Sequence, residues 1–281
     1  MIYLTGDIHG DPTQVELFCS KMQLTDKDTI VMLGDVGLNY YGGKRDRLPK
    51  RILSSLPVTF LCIHGNHENR PQNIPEYKPT IWNGGKVLVE EEYPNILFAE
   101  DGEIYDLDGV KALVIGGAYS VDKFYRLQRG FGWWADEQPS EETKRKIEAV
   151  LSARKDIDII LSHTCPKKYI PTEMFLPMID QSTVDNSTEE WLDTIEDAVD
   201  YKAWYCGHWH TDKRIDKMHF LFTTFESLSL TKRVVFVDEC DENHVRLLAY
   251  YVNVSFETNG WHYVYPFFTK DLRAIYDLRP G

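Results

Sequence analysis

Positive charge and cysteine are both scarce in this chain. Its 281 residues carry 31 Lys and Arg against 44 Asp and Glu, a formal net charge of −13. Such a deficit argues against binding extended nucleic acid or an anionic membrane surface, since both favour a basic face. It leaves room for a small basic pocket that takes one phosphate. The five cysteines (Cys19, Cys62, Cys165, Cys206 and Cys240) are odd in number and form no CxxC. No disulfide framework follows from them, and no Cys pair has the spacing of a thiolate zinc site. All but Cys240 sit in or beside apolar runs, so they read as reduced, small core residues. A reducing, cytoplasmic location is the corresponding expectation.

Long apolar runs are also missing. Those present are strand-sized, too short for a bilayer. The opening MIYLTGDIHG has neither the basic start nor the long apolar stretch of a secretory signal. The glycosylation sequons at Asn186-Ser187-Thr188 and Asn253-Val254-Ser255 therefore carry little weight. No repeat, low-complexity stretch or Pro/Gly/Ser-rich linker divides the chain, and a single domain over 1–281 is expected.

What is present is core material and alternation. Hydrophobic residues make up 43% of the chain and aromatics 13%, enough for a large buried core. Residues 1–5, 29–34 and 57–64 read as strands, and 13–22 and 45–55 as helices. That order suggests parallel strands joined by crossover helices. Further strands are expected at 110–116, 156–162 and 201–206, and helices from Ser140 onward and over 188–199. Ser140 has the character of an N-cap, with Glu141 and Glu142 in the first turn. From 214 the pattern is mostly β (MHFLFTT, RVVFVD, VRLLAYYVNVSF, WHYVYPFF), a tail expected to complete a second sheet.

Polar clusters follow five of these strands: Gly6-Asp7-Ile8-His9-Gly10, Gly34-Asp35, Gly65-Asn66-His67-Glu68, Ser162-His163 and Gly207-His208-Trp209-His210. Open α/β sheets bind ligands at the carboxyl ends of their strands, so five such loops can converge on one site. Carboxylate, imidazole and amide oxygen without thiolate suit Mn, Fe, Zn or Co. Asn66 supplies an oxygen ligand without adding charge. Singly, each residue fits ordinary turn chemistry at a strand end. Jointly they do not, for five of the nine histidines fall in these clusters. Of the others, His64 ends a strand and reads as structural.

In order, DIH, GD, GNHE, SH and GHWH resemble the motifs of the calcineurin-like metallophosphoesterase superfamily, spread over residues 6–210. The resemblance implies an α/β fold of two mixed β-sheets packed as a sandwich and flanked by helices. It implies that Asp7, His9 and His210 hold one divalent metal and that Asn66, His163 and His208 hold a second. Asp35 would bridge the two, and His67 would act on the substrate as general acid or charge stabiliser. The cofactors implied are two divalent ions, manganese first and Fe, Zn or Co as alternatives. The reaction implied is attack on a phosphoester by a hydroxide shared between them.

The resemblance departs at one motif. The superfamily's Ser/Thr phosphatases follow Gly-Asp with a second Asp and an Arg, whereas this chain reads Gly34-Asp35-Val36-Gly37-Leu38-Asn39. The expected activity is therefore a phosphodiesterase or broad-specificity phosphoesterase acting on a small molecule or nucleotide. A phosphomonoesterase or protein phosphatase is the alternative, and a non-catalytic metal-dependent module or a nuclease ranks lower. The segment Gly116–Trp134 carries Lys123, Arg126 and Arg129 among aromatics. It reads equally as a substrate loop or as a surface loop anchored by tryptophan. Lys123 and Arg126, with Arg70 just after GNHE, are the candidate substrate-binding residues. Glu90-Glu91-Glu92 reads as a solvated face.

Overall fold

The computed structural model describes residues 1–177 and 179–228, together with the backbone of four strands in the remainder. Two compact units divide the chain, Met1–Phe225 and Glu226–Gly281.

The first unit opens with β1 (Ile2–Thr5), α1 (Thr13–Met22), β2 (Thr29–Met32), α2 (Lys44–Ser54) and β3 (Thr59–Cys62). The three strands are parallel, as their crossover helices require. β4 (Tyr77–Trp82), β5 (Gly85–Glu90) and β6 (Ile96–Ala99) extend this sheet, which runs β1-β2-β3-β6-β5-β4. β6 is parallel to β3, and the hairpins beyond it turn antiparallel.

A second sheet follows, with β7 (Ile104–Leu107) and β8 (Val110–Ile115). Next come α3 (Lys123–Arg129), α4 (Glu141–Ala153), β9 (Ile159–Ser162), α5 (Ser187–Ala198) and β10 (Ala203–Cys206), then β11 (Lys213–Ile215) and β12 (Met218–Phe220). Its order is β11-β12-β10-β9-β8-β7, parallel in the middle and antiparallel at both edges. The fold is thus the expected α/β sandwich of two mixed sheets with flanking helices. No helix among the described residues is long and apolar enough to cross a membrane.

Alternation along the strands explains the layering. Ile30, Met32, Phe60 and Cys62 pack with Val15 and Cys19 of α1 in one core. The intervening Val31 and Leu61 are fully buried as well, so both faces of the sheet are covered. In the second sheet, Ile160, Trp204 and Cys206 pack with Ile147 and Leu151 of α4 and with Trp191, Leu192 and Ile195 of α5. The three- and four-residue spacings place each helix's apolar side chains on one stripe. All four described cysteines are free and buried in these cores, as their apolar settings led one to expect.

Register sets the position of the site. Thr5 pairs with Met32, and Met32 with Cys62, so β1, β2 and β3 end level. Ser162 pairs with Ile115 and Leu161 with Tyr205, so β9 and β10 end near one another. Every polar cluster named above therefore leaves its sheet at a strand's carboxyl end.

The second unit contains β13 (Glu226–Ser227), β14 (Val234–Val237), β15 (Val254–Thr258), β16 (Trp261–Tyr265) and β17 (Ala274–Asp277). The last four form a sheet of their own in the order β16-β15-β14-β17. Of the β-rich stretch from 214, only the end of β11 and β12 belong to the six-stranded sheet. The expected strand residues 245–253, with Cys240, His244 and the sequon residue Asn253, lie outside the described residues.

Helix α4 begins as its sequence indicates: Ser140 is extended, and its hydroxyl accepts from the Thr143 amide at 3.1 Å. Ser140→Ala removes that acceptor. It should lower stability by about 1 kcal/mol, read as an earlier urea midpoint at unchanged slope.

Candidate metal centre

The loops at the strand ends are knitted to one another by backbone hydrogen bonds. The His9 amide donates to the Asp35 carbonyl at 2.8 Å, and the Gly207 amide to the His163 carbonyl at 3.0 Å. Two glycines leave space for carboxylates. A Cβ on Gly65 would stand 2.0 Å from Asp35 Oδ1, and one on Gly207 would stand 2.2 Å from Asp7 Oδ1. The vacated space is used: the His67 amide donates to Asp35 Oδ1 at 2.7 Å, and the His208 amide donates to both Asp7 oxygens at 3.0 and 3.1 Å. Four of the residues concerned have left-handed backbone: His9 (φ 47°), Asp35 (φ 44°), His208 (φ 65°) and His210 (φ 47°). Non-glycine residues adopt this conformation at a cost of roughly 1–3 kcal/mol each, and such strain gathers at functional sites.

Three overlapping groups of ligating atoms result: Asp7, His9 and His210; His9, Asp35 and His67; Asp7, Asp35 and His163. Within each group the atoms lie within 4.8 Å of one another. His9 Nε2 and His210 Nε2 are 2.9 Å apart, and His210 Nε2 is 3.3 Å from Asp7 Oδ2. His163 Nε2 lies 2.8 Å from Asn66 Oδ1 and 3.5 Å from Asp35 Oδ1. His208 is in none of the three groups, but its ring lies against that of His163 with centroids 4.9 Å apart.

Donor and acceptor polarity tests whether a cation fits. His163 Nδ1 is 2.8 Å from the Leu33 carbonyl, which can only accept, so Nδ1 carries the proton. In the neutral ring Nε2 is then a lone pair. The Asn66 amide nitrogen donates to Ser120 Oγ at 3.0 Å, which turns the amide oxygen toward that lone pair. Two such atoms 2.8 Å apart need a cation between or beside them, and either a proton on Nε2 or a metal ion meets that need. Nitrogen and oxygen donors without thiolate match a borderline or hard divalent ion. Cys165 and Cys206 are buried in the second core, and burial pushes the Cys206 thiol far up.

The electrostatics are those of a buried charge cluster. Burial drives the Asp35 carboxyl up, but His163, His67 and His9 outweigh it and hold it below the usual carboxylate range. Hydrogen bonding to Asp7 raises His210, whereas burial pushes His208 and His64 well down. His64 is thus a neutral buried side chain, in keeping with a structural role. His67 is also lowered, by burial first, with Asp35 and Asp122 opposing and Arg126 adding to the effect.

The three candidate substrate cations have different fates. Arg70 is held by two of its nitrogens, Nε donating to the Asp136 carbonyl and Nη1 to Asp101 Oδ2, each at 2.7 Å, while its Nη2 is buried with no hydrogen-bond partner among the described residues. Lys123 sits over the Trp133 ring at 4.3 Å. Arg126 is 2% exposed and stands beside the rings of Tyr40 and Trp134. Its Nε is 3.8 Å from Asp122 Oδ2 and its Nη1 is 3.4 Å from Ser120 Oγ. Among the described residues, neither Arg126 Nη2 nor Asp122 Oδ1 has a hydrogen-bond partner, although both atoms are buried. Asp122 Oδ1 is 3.7 Å from His67 Nε2. Sequence reasoning gave no role to Ser120, Asp122 or Glu137. Only their place in or beside the Gly116–Trp134 segment pointed to them, since their partners are remote in sequence.

A family model described as "Calcineurin-like phosphoesterase" matches residues 1–212. No curated protein matches the chain. Among solved structures, it is similar to TT1561 of Thermus thermophilus, with 16% identity over 74% of this chain and 80% of that one, and a TM-score of 0.41. A protein of unknown function from Aquifex aeolicus, AQ665, has 15% identity over 58% of this chain and 80% of that one, at a TM-score of 0.29.

The clearance at Gly207 yields a direct test. Gly207→Ala places a methyl against Asp7 Oδ1 and the Leu33 carbonyl. The variant should retain less divalent metal after dialysis than the parent chain, by elemental analysis. Manganese should also raise its melting temperature by less.

Proposed function

The chain belongs to the calcineurin-like phosphoesterase family, and we propose that it hydrolyses phosphodiesters, or phosphoesters broadly, with two divalent ions, manganese first among them. The observation that carries this reading is the convergence of Asn66 Oδ1 and His163 Nε2, 2.8 Å apart, beside the buried Asp35 carboxylate. Asp7, His9 and His210 would hold one ion, Asn66, His163 and His208 the other, and Asp35 would touch both. When bound, such ions neutralise phosphoryl charge and lower the pKa of the attacking water.

The chain's own groups supply the rest. His67 borders the cluster, its ring 5.5 Å from that of His9. Burial lowers the His67 pKa, so a proton held at its Nε2 beside Asp122 would pass readily to the leaving oxygen. Arg126 Nη2, without a hydrogen-bond partner among the described residues, is the donor assigned to a non-bridging phosphoryl oxygen. Asp122 at 3.8 Å offsets part of the Arg126 charge. That balance suits the single charge of a diester better than the double charge of a monoester. Arg70 is anchored through Nε and Nη1 and Lys123 rests over Trp133, so both play a smaller part in substrate binding. A small phosphoester or nucleotide is the substrate class in keeping with this site.

The test is the rate on bis-p-nitrophenyl phosphate against p-nitrophenyl phosphate, with Mn²⁺ and with a chelator. The diester should be cleaved faster, and only with metal; faster monoester cleavage would favour a phosphomonoesterase. Asp35→Asn should abolish turnover and lower metal content, and retained activity at full metal would sink the role given to Asp35. Arg126→Ala should reduce kcat/KM by roughly 10- to 100-fold, the effect of losing one charged hydrogen bond to the substrate.

A further inference from the structure

An asparagine is an ambiguous ligand, since its two amide ends have the same shape and opposite polarity. Only the oxygen end can hold a cation. Something must therefore fix which end faces His163, and the 116–137 segment contains it. Ser120 is 1% exposed and Glu137 is 2% exposed. The Ser120 hydroxyl lies 2.6 Å from Glu137 Oε2, and the Ser120 amide donates to Glu137 Oε1 at 3.2 Å. The carboxylate accepts from both, so the hydroxyl proton is committed to Glu137. The hydroxyl oxygen then has only lone pairs to offer Asn66, and it receives the amide NH₂ at 3.0 Å. Arg126 Nη1, 3.4 Å from the same oxygen, adds a second donor on that side. Each link constrains the next, from Glu137 through Ser120 to Asn66, and the amide oxygen is left facing His163 Nε2.

We propose that Ser120 and Glu137 are positioning residues for the second metal, fixing the Asn66 amide with its oxygen toward the ion. This rests on the metal reading given above and extends it to residues outside the motifs. It also gives the 116–137 segment a function apart from substrate contact, because the segment that carries Arg126 is the one that orients a ligand.

Partners that orient metal ligands typically account for about 10- to 100-fold in metal affinity. Calorimetric titration of the chelator-stripped full chain with Mn²⁺ alone reads each site without any turnover. In Ser120→Ala, one of the two binding events should weaken by about that factor, with the other little changed. Ser120→Thr, which restores the hydroxyl, should recover the lost affinity, whereas a purely structural defect would not be rescued in this selective way. Glu137→Gln keeps the shape and an acceptor oxygen but loses the charge. It should fall between Ser120→Ala and the parent, and it serves as the test if Ser120→Ala fails to fold. Asn66→Ala separates the two levels of the argument. If Asn66→Ala loses one Mn²⁺ while Ser120→Ala and Glu137→Gln bind both normally, the positioning role is wrong and the metal reading stands. If Asn66→Ala itself binds both ions like the parent, the metal reading fails, and the positioning role with it.

Discussion

A carboxylate with 2% exposure at the end of a central parallel strand is the constraint around which this molecule is arranged. Asp35 sits where desolvation strongly disfavours charge, yet its neighbours keep it ionised. Meeting that demand requires a backbone amide from His67, imidazoles from three other loops, and a glycine at position 65. Those groups come together only because β1, β2 and β3 end level and β9 and β10 bring His163 and the Gly207–His210 loop to the same carboxylates. The sheet register and the buried charge are two descriptions of one requirement.

Strain and stability divide along the same line. The central strands β1, β2, β6, β9 and β10 have every side chain buried, which is where the fold gains much of its free energy. The loops beyond them hold left-handed histidines and an aspartate, with imidazole rings set against one another, features unfavourable taken singly. A rigid two-sheet scaffold tolerates this concentration of unfavourable terms because the loops are short and bonded to one another. The same groups are candidate ligands for a divalent cation, which would offset their mutual repulsion.

The segment after β8 has a different character. It brings both signs of charge to the edge of the cluster: Asp122 beside His67, Arg126 beside Asp122 and Ser120, and Glu137 behind Ser120. The net charge of −13 said nothing about this, because a whole-chain sum does not register one buried guanidinium with a free N–H. Aromatic rings of Tyr40 and Trp134 flank that guanidinium and limit its movement.

Much of the framework was legible without coordinates. Apolar runs of strand length gave β1, β2, β3, β8, β9 and β10, the Ser140 cap gave the start of α4, and the polar residue after each strand gave the cluster. These are local signals, written within a few residues of where they act. The sequence did not disclose which end of the Asn66 amide faces the cluster, or that Arg70 is anchored by Asp101 and Asp136. Nor did it show that Arg126 is buried with a free N–H, or that Glu137 acts through Ser120. Each depends on hydrogen-bond geometry between residues up to 97 apart. So strand content and donor chemistry were determined by the sequence alone, because periodicity and residue type act locally. Which cation is free and which amide end is presented were decided by tertiary structure, because polarity in a buried network depends on every partner at once.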